Sequence, residues 1–465
     1  MKAKIQNDFI LNAIQENFNE EIFLVGGAVR NFLNNETVYD RDLLVLNVNV
    51  KEFSQKLAQF FNATFIELDN ENEIYRLVLK DKINYLDITK PYNNSIEEDL
   101  KHRDLTINSL AINIKTSEII DTTGGLEDFK QNELRCFDEK SILDDPLRLL
   151  RVFRFLAIYG FEIEENTFNY IKNHKKLIHT PAIERINYEI VKLFDGKFAH
   201  IALLEMDKTG LLEELFPFIN EYKKVPPNTH HHLDLFNHLI ETVKQIQNIY
   251  ENATPEVKTH LEKYDFGANS RLAHLKFAGF LHDIGKFSTW TIEENGRHRF
   301  IKHDDVGSKI AKEFLSKNKY SKKQINYLTE MIKFHIYPSG VMCAPEINDK
   351  IMMRFVRKME DNAIDIITLA KADRLSARGE AITDEIVENN INLLTKLQQF
   401  YLDKKDSLKL EKLLSGEEIM EILSIPAGKK LGEIIRNLTE AQINGDVLSK
   451  AEAINFVKKL KDNKQ

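Results

Sequence analysis

Asp40 and Asp42 stand one residue apart in "LVGGAVRNFLNNETVYDRDLLVLN", residues 24–47. They open an apolar run that reads as a strand. Strand side chains alternate faces, so both carboxylates point the same way. Two carboxylates on one face suit an oxygen-preferring divalent cation such as magnesium. Two such ions can clamp an attacking hydroxyl and a leaving phosphate. Upstream, Gly26 and Gly27 let backbone approach a triphosphate, and Arg30 offers charge-assisted bonds to it. A lone Asp-x-Asp is also what a solvated surface turn presents; its coupling to "GGAVR" singles this one out. Asp87, in "NYLDITK", is a candidate third carboxylate on a neighbouring strand.

A second constellation lies in the middle of the chain. His238 sits in "FNHLIETV", His282 and Asp283 in "FLHDIGK", and His303 in "KHDDVGS"; His335 is in "IKFHIYPSG" and Asp373 in "LAKADRLSARG". Imidazole with carboxylate suits nickel, cobalt, manganese, iron or zinc better than magnesium. The run resembles the HD phosphohydrolase superfamily, which implies that a metal there activates water against a phosphoester, with Lys286 stabilising charge on the phosphate. Helix neighbours diverge by about 100°, so His282 and Asp283 need a bent turn to reach one ion. His230, His231 and His232 follow Pro226-Pro227 and read as linker or helix start.

These residues need elements to hold them. An opening helix is expected over 5–18, then "EIFLV" as a strand, a Gly-Gly turn, and "AVRNFLNN" as a helix. "DLLVLNV" reads as a strand, "KEFSQKLAQFFN" as a helix, and "ATFIELD", "IYRLVLK" and "INYLDITK" as three more strands. "SLAINIKTSEIIDTTGG" adds strand material closed by a Gly-Gly turn. From "DDPLRLLRVFRFLAIYG" onward the pattern is helical to the end. The fold class is therefore α+β. It divides into a mixed domain over 1–135, a helical segment over 136–225, a third domain over 226–400 and a helical tail over 401–465.

Composition is consistent with several domains. The chain has 465 residues, 43% of them apolar, and a net charge of −8. That charge argues against indiscriminate nucleic-acid binding but leaves room for a local basic strip, for which "IKNHKKLIH", "SKNKYSKKQ" and "PAGKKLG" are candidates. Solvated helix faces fit those three segments equally. Cys136 and Cys343 lie far apart and give no disulfide framework or cysteine zinc site, so a reducing cytoplasmic compartment is expected. No 18-residue apolar run and no signal-peptide core occur, so neither membrane nor export is expected. A monomer or homodimer is expected.

The motif "LVGGAVRNFL…YDRDLLV" resembles the head of the bacterial class II tRNA nucleotidyltransferase and poly(A) polymerase family, part of the polymerase-beta-like superfamily. Relatives usually carry aspartate where Asn31 stands. "EEDLKHRDLTINSLAI", residues 97–112, resembles the family's ribose-recognition motif, which implies that role for Arg103 and Asp104. "DDPLRLLRVFRF", residues 144–155, resembles the base-reading helix. This implies Watson–Crick-like bonds from Asp144, Asp145 and Arg148 to incoming CTP or ATP, with Asp145 and Arg148 sharing a helix face. Arg151 and Arg154 extend that stripe toward phosphates. "PAIERINYEIVKLF" matches the neck, where Glu184 and Arg185 brace helices. The histidine set resembles the HD phosphohydrolase superfamily, and His303 with His335 resembles the sets that hold two metals. The tail around "IPAGKKLG" resembles HD-containing members, with Ala427 where relatives have proline, and Gly428, Lys429 and Lys430 beside RNA or in a helix-start loop.

The resemblance implies a template-independent enzyme adding CMP or AMP to the 3′ end of tRNA from CTP and ATP with magnesium, with an accessory phosphohydrolase. Alternatives are a poly(A) polymerase, or an HD hydrolase with an inert head, for which Asn31 is the one departure. A non-catalytic RNA-binding protein is a third reading.

Overall fold

Seven strands carry the first carboxylate pair: β1 (Glu21–Val25), β2 (Asp40–Leu46), β3 (Thr64–Asp69), β4 (Ile74–Val78), β5 (Tyr85–Thr89), β6 (Leu110–Asn113) and β7 (Ile119–Asp121). They form one sheet in the order β3-β4-β5-β2-β1-β6-β7, with β2 parallel to β5 and antiparallel to β1. The computed structural model describes residues 2–229, 231–342, 347–405 and 412–462; Cys343 and His230 lie outside them. Within the chain, residues 1–217 and 218–465 form two compact units. The first has a mixed β-sheet with flanking helices, followed by helices alone apart from one short strand pair. Helices dominate the second.

Period-two alternation in β2 decides what faces where. Leu43 and Val45 enter the larger core with Val29, Phe32, Phe53 and Leu57. Leu44, on the other face with Asp40 and Asp42, packs with Phe23, Ile96 and Leu100. Arg41 therefore points away from the carboxylates on either side of it. It is buried, and Asp8 accepts from its Nε at 3.1 Å and its Nη2 at 2.6 Å. The carbonyls of Val38 and Tyr39 and the Asn84 Oδ1 take its remaining donors.

Asp8 also corrects the single opening helix. Its backbone is extended and its side chain caps Ile10 and Leu11, so the helix splits into Lys2–Asn7 and Phe9–Asn17. Removing one partner of a buried pair strands the other charge, at a cost of about 3–5 kcal/mol. Asp8→Ala should therefore lower the head's urea midpoint sharply, while the double change Asp8→Leu, Arg41→Met should recover much of the loss. Equal midpoints for Asp8→Ala and the parent chain would refute this.

Two short strand pairs interrupt the expected run of helices. Glu133–Leu134 pairs with Glu162–Ile163, and Trp290–Ile292 with His298–Phe300. The second is a hairpin whose turn carries Asn295-Gly296, with Gly296 at φ 80. That dipeptide between aromatic and β-branched residues is a hairpin signal. Cys136 is buried, and burial pushes its thiol up to about 12.

In the second unit, helix Arg271–Leu281 is buried along its whole length. Helices Leu235–Glu251, Lys322–Phe334 and Ala363–Ser376 pack on it. Gly285 lets the turn after it approach the start of helix His303–Lys317: a Cβ there would lie 2.0 Å from the His303 carbonyl oxygen. The tail helices Gly416–Leu423, Lys429–Asn444 and Lys450–Asp462 share their own core around Ile419, Leu438 and Val457.

Candidate active site and metal centre

Register brings the head carboxylates together. Asp42 pairs with Val25 on one side and with Asp87 on the other, so the Gly26 turn that follows Val25 lands beside Asp42. Asp40, Asp42 and Asp87 each offer an oxygen within 4.8 Å of the others. Asp87 is gripped by Arg76, its partner on β4, through bonds of 2.7 and 2.6 Å. Nothing in the sequence pattern marked Arg76. Gly26 has φ +68, and a Cβ on it would meet Arg103 Nη1 at 3.0 Å and Asp42 Oδ2 at 3.2 Å. A side chain there would be strained and would crowd the carboxylate.

The acids repel one another without a cation. Burial, then Asp40, pushes Asp42 up to about 6; burial, then Asp87, raises Asp40. A raised folded pKa contributes stability present below the unfolded value and lost as pH rises through the folded one. In EDTA the head should therefore lose stability between about pH 4 and pH 6, by at most about 3 kcal/mol. Asp42→Asn should flatten that slope and leave the metal-free protein more stable at pH 7. Calorimetric scans across pH check this; parallel slopes would remove it.

Arg30 anchors the helix that follows the Gly26-Gly27 turn. Its Nε donates to the Tyr159 hydroxyl at 2.7 Å, its Nη1 to Asn108 Oδ1 and its Nη2 to Asn31 Oδ1 at 3.4 Å. The guanidinium also lies over the Phe155 and Tyr159 rings. Asn31 thus supports Arg30 rather than joining the carboxylates. Arg103 is bonded to Asp99 at 2.9 Å and reaches toward Asp42.

Asp104 is buried. Its Oδ1 accepts from the Leu105 N–H and from Asn108, both at 2.9 Å, and its Oδ2 accepts from Arg151 Nε at 2.8 Å and from Nη2. These fill its acceptor positions. Burial would raise its carboxyl, but Arg151 and Asn108 hold it down at about 2. Arg151 and Arg154 both reach Glu189, which is buried in helix Ile183–Asp195, at 3.2 and 3.0 Å. Sequence reading missed Glu189, an acid on an otherwise apolar helix face.

The expected base-reading helix is two elements. Asp145 precedes Pro146, whose ring disfavours helical backbone at the residue before it. It adopts φ −140, ψ 95 as the cap of helix Glu139–Asp144, and Arg148 opens helix Arg148–Tyr159. The shared helix face is therefore wrong, although the three residues remain close in sequence. Asp145 pairs with Arg185 at 3.0 Å. Arg148 Nη1 donates to the Ser141 carbonyl and hydroxyl at 3.0 and 2.7 Å, and its Nη2 to the His102 carbonyl. Asp144 and Arg148 line one cleft of about 240 Å³.

The second unit assembles all six expected metal residues. His282 and Asp283 follow the last turn of helix Arg271–Leu281, so the chain bends where the sequence required it. Asp283 is central. Its Oδ2 lies 3.5 Å from His238 Nε2 and 3.3 Å from His282 Nε2; its Oδ1 lies 3.3 Å from His303 Nε2 and 3.6 Å from His335 Nε2. Asp373 completes the first group, 3.2 Å from His238 and 3.6 Å from His282. Lys286 pairs with Asp283 at 2.5 Å.

The imidazoles are oriented from behind. The Nδ1 of His282, His303 and His335 donates to the carbonyls of Gly279, Phe300 and Ile332 at 2.8, 2.8 and 2.6 Å. That leaves the Nε2 of each ring facing inward, the orientation that metal-ligating histidines adopt. The Nε2 atoms approach at 3.4 Å (His238 and His282) and 3.2 Å (His303 and His335). Burial, then His282, pushes His335 down to about 4. His282 is pushed up to about 10: burial opposes its charge, but Asp283 and Asp373 outweigh it. A proton there does electrostatically what a cation would do better. These donors fit two cations sharing the Asp283 carboxylate.

His231 corrects the linker reading. Its ring packs edge-on against His238 with centroids 4.6 Å apart, and its Nε2 lies 3.4 Å from Lys286 Nζ. A turn closed between Asn228 and His231 holds it there. His232 instead accepts from the Arg378 N–H.

Comparison with known proteins finds matching family models in chain order. The poly(A) polymerase head domain matches residues 22–135, the probable RNA- and SrmB-binding site of polymerase A residues 160–223, and the HD domain residues 235–378. An A-adding tRNA nucleotidyltransferase of Deinococcus radiodurans is 28% identical over 442 residues, covering 94% of each chain. A CC-adding tRNA nucleotidyltransferase of Thermus thermophilus is 28% identical over 444 residues, covering 94% of this chain and 93% of the relative. The CCA-adding enzyme of Bacillus stearothermophilus, solved in complex with CTP, shares the fold with a TM-score of 0.63 at 19% identity, over 100% of this chain and 99% of the other. Among the described residues no helix is long and apolar enough to cross a membrane.

Proposed function

From the premise that the chain belongs to the bacterial tRNA nucleotidyltransferase and poly(A) polymerase family, its head fused to an HD domain, we propose that it transfers CMP or AMP to the 3′ end of tRNA. The observation that carries this reading is the carboxylate triad beside the Gly26 turn. Magnesium held by Asp40, Asp42 and Asp87 would supply electrostatic stabilisation of the α-phosphate and acidify the attacking hydroxyl. The RNA 3′ oxygen forms the new bond to the α-phosphorus, and pyrophosphate leaves. The Gly26-Gly27 backbone and Arg103 bind the triphosphate. Arg30 holds the turn in place through Tyr159 and Asn108 and meets phosphate only with donors those partners leave.

Asp144, Asp145 and Arg148 read the base edge. Asp104 and Arg151 form a braced pair, and a ribose hydroxyl reaches Asp104 by exchanging with Arg151. Arg154 reinforces the brace through Glu189. The two relatives, equal in identity, are named for A addition and for CC addition. The proposal is accordingly the step they share. Basic residues of "IKNHKKLIH" lie within the segment matched by the RNA-binding model, which supports that segment as the tRNA contact.

The HD site is proposed as an accessory phosphoesterase. A transition metal such as nickel, cobalt, manganese, iron or zinc at His238, His282, Asp283, His303, His335 and Asp373 would activate water. Lys286 would carry charge on the phosphoester.

The deciding experiment incubates the protein with tRNAs ending before CCA, after C and after CC, each nucleotide supplied separately, and reads product length on a gel. Extension by one or more residues supports the reading. No extension of any substrate by CTP or ATP with magnesium overturns it.

A further inference from the structure

We propose that Tyr92 and His102 form a stacking platform for the base of the incoming nucleotide, in the cleft that Asp144 and Arg148 line. The inference rests on the nucleotidyltransferase reading above and adds the stacked pair that would carry one face of the base. The two rings lie parallel, with centroids 4.3 Å apart and planes 6° from each other. Tyr92 is 48% exposed, so the stack borders solvent rather than filling a core.

The local chain is built to present it. Tyr92 begins a turn in which Asn93 and Asn94 both have positive φ, 50 and 54. The Tyr92 N–H donates to Asp99 at 3.1 Å and Asn93 Nδ2 to Glu98 at 2.7 Å, which pins the turn to helix Ile96–Lys101. His102 ends that helix, next to Arg103, whose guanidinium reaches toward Asp42. The platform is thus one residue along the chain from the phosphate-facing arginine.

Size and charge select a base over other ligands. The cleft holds about 240 Å³, less than the roughly 300–1,000 Å³ of sites that take whole drug-sized ligands. One aromatic ring fits that space better than a triphosphate does. The lining balances Glu98, Asp138 and Asp144 against Lys101, Lys140 and Arg148, so no net positive field calls for phosphate. Asp144 reaches His102 Nδ1 only at 4.0 Å, beyond hydrogen-bond range, and its acceptors can take a base amino group. Aromatic faces hold bases by stacking that tolerates any base, while the polar edges discriminate.

The test measures equilibrium binding of CTP and of ATP by calorimetry without tRNA, incorporation kinetics with tRNA, and tRNA affinity. Tyr92→Ala and Tyr92→Leu should weaken binding and raise KM for both nucleotides by roughly tenfold or more. Tyr92→Phe and Tyr92→Trp should stay near the parent chain, and tRNA affinity should not move. Tyr92→Leu keeps apolar bulk, so a fold defect confined to Tyr92→Ala does not decide the outcome. Unchanged nucleotide binding in Tyr92→Leu overturns the inference. So does equal loss in Tyr92→Phe, which would assign the effect to the hydroxyl, and so does loss of tRNA affinity alone. If the parent chain incorporates nothing, the proposed function fails and the binding arm still decides the platform.

Discussion

Asp42→Asn should lower nucleotide incorporation by at least about a thousandfold, with hydrolysis at the HD site unchanged. The substitution keeps the side chain's size and removes its charge. Asp42 sits where three segments meet: its register partners carry the Gly26 turn and Asp87, and Arg103 reaches toward it from just beyond the Ile96–Lys101 helix. A metal clamp supplies several kcal/mol of transition-state stabilisation, and each 1.4 kcal/mol is tenfold in rate. Losing about 4 kcal/mol gives the thousandfold. Single-turnover incorporation of labelled CTP at saturating tRNA, across a magnesium series, checks it. A variant within tenfold of the parent at ordinary magnesium would show that the triad does not hold the catalytic ion.

The second large effect concerns Asp283. Both of its oxygens face imidazoles, Oδ2 toward His238 and His282 and Oδ1 toward His303 and His335. Asp283→Asn should therefore empty both metal positions together. Replacing His303 should spare the group formed by His238, His282 and Asp373. Phosphoester hydrolysis should fall at least about a thousandfold in Asp283→Asn, while CMP incorporation persists, because the head triad shares no ligand with this site. Elemental analysis of purified protein, with a metal-screened assay on 2′,3′-cyclic phosphate and phosphomonoester substrates, reads both effects. If Asp283→Asn retains the parent's metal content, the shared-carboxylate arrangement is wrong.

Legibility in the sequence followed the range of the physics involved. Local periodicity located β1 to β5, the helices after β1 and β2, and the strand material of β6 and β7 without dividing it, because alternation and the 3.6-residue repeat are written in adjacent residues; the short helix Ile96–Lys101 went unread. The clustered residue types were legible for the same reason: Asp40 and Asp42 are neighbours on a strand, and His282 and Asp283 are neighbours at a helix end. What escaped was pairing across distance. Arg76 reaches Asp87 through strand register, Asp8 reaches Arg41 through the core, and Glu189 reaches Arg151 from another helix. No single stretch encodes those contacts. Two departures carry a local signal. Pro146 should have broken the helix read through Asp145, and Asn295-Gly296 should have announced the hairpin. His231 escapes because a double proline suggests a linker, whereas the turn after it folds back onto His238 and Lys286.

The buried Cys136 gives the head a built-in clock. A thiol pushed up to about 12 by burial is inert to iodoacetamide while the fold is closed. Its backbone N–H is tied to Thr167 at 3.0 Å, so the sulfur meets reagent only when the junction between sheet and neck opens. In a Cys343→Ser background, the rate of alkylation would time those openings directly. Nucleotide or tRNA bound to the closed form would slow the clock in proportion to occupancy, giving a binding assay that needs no turnover.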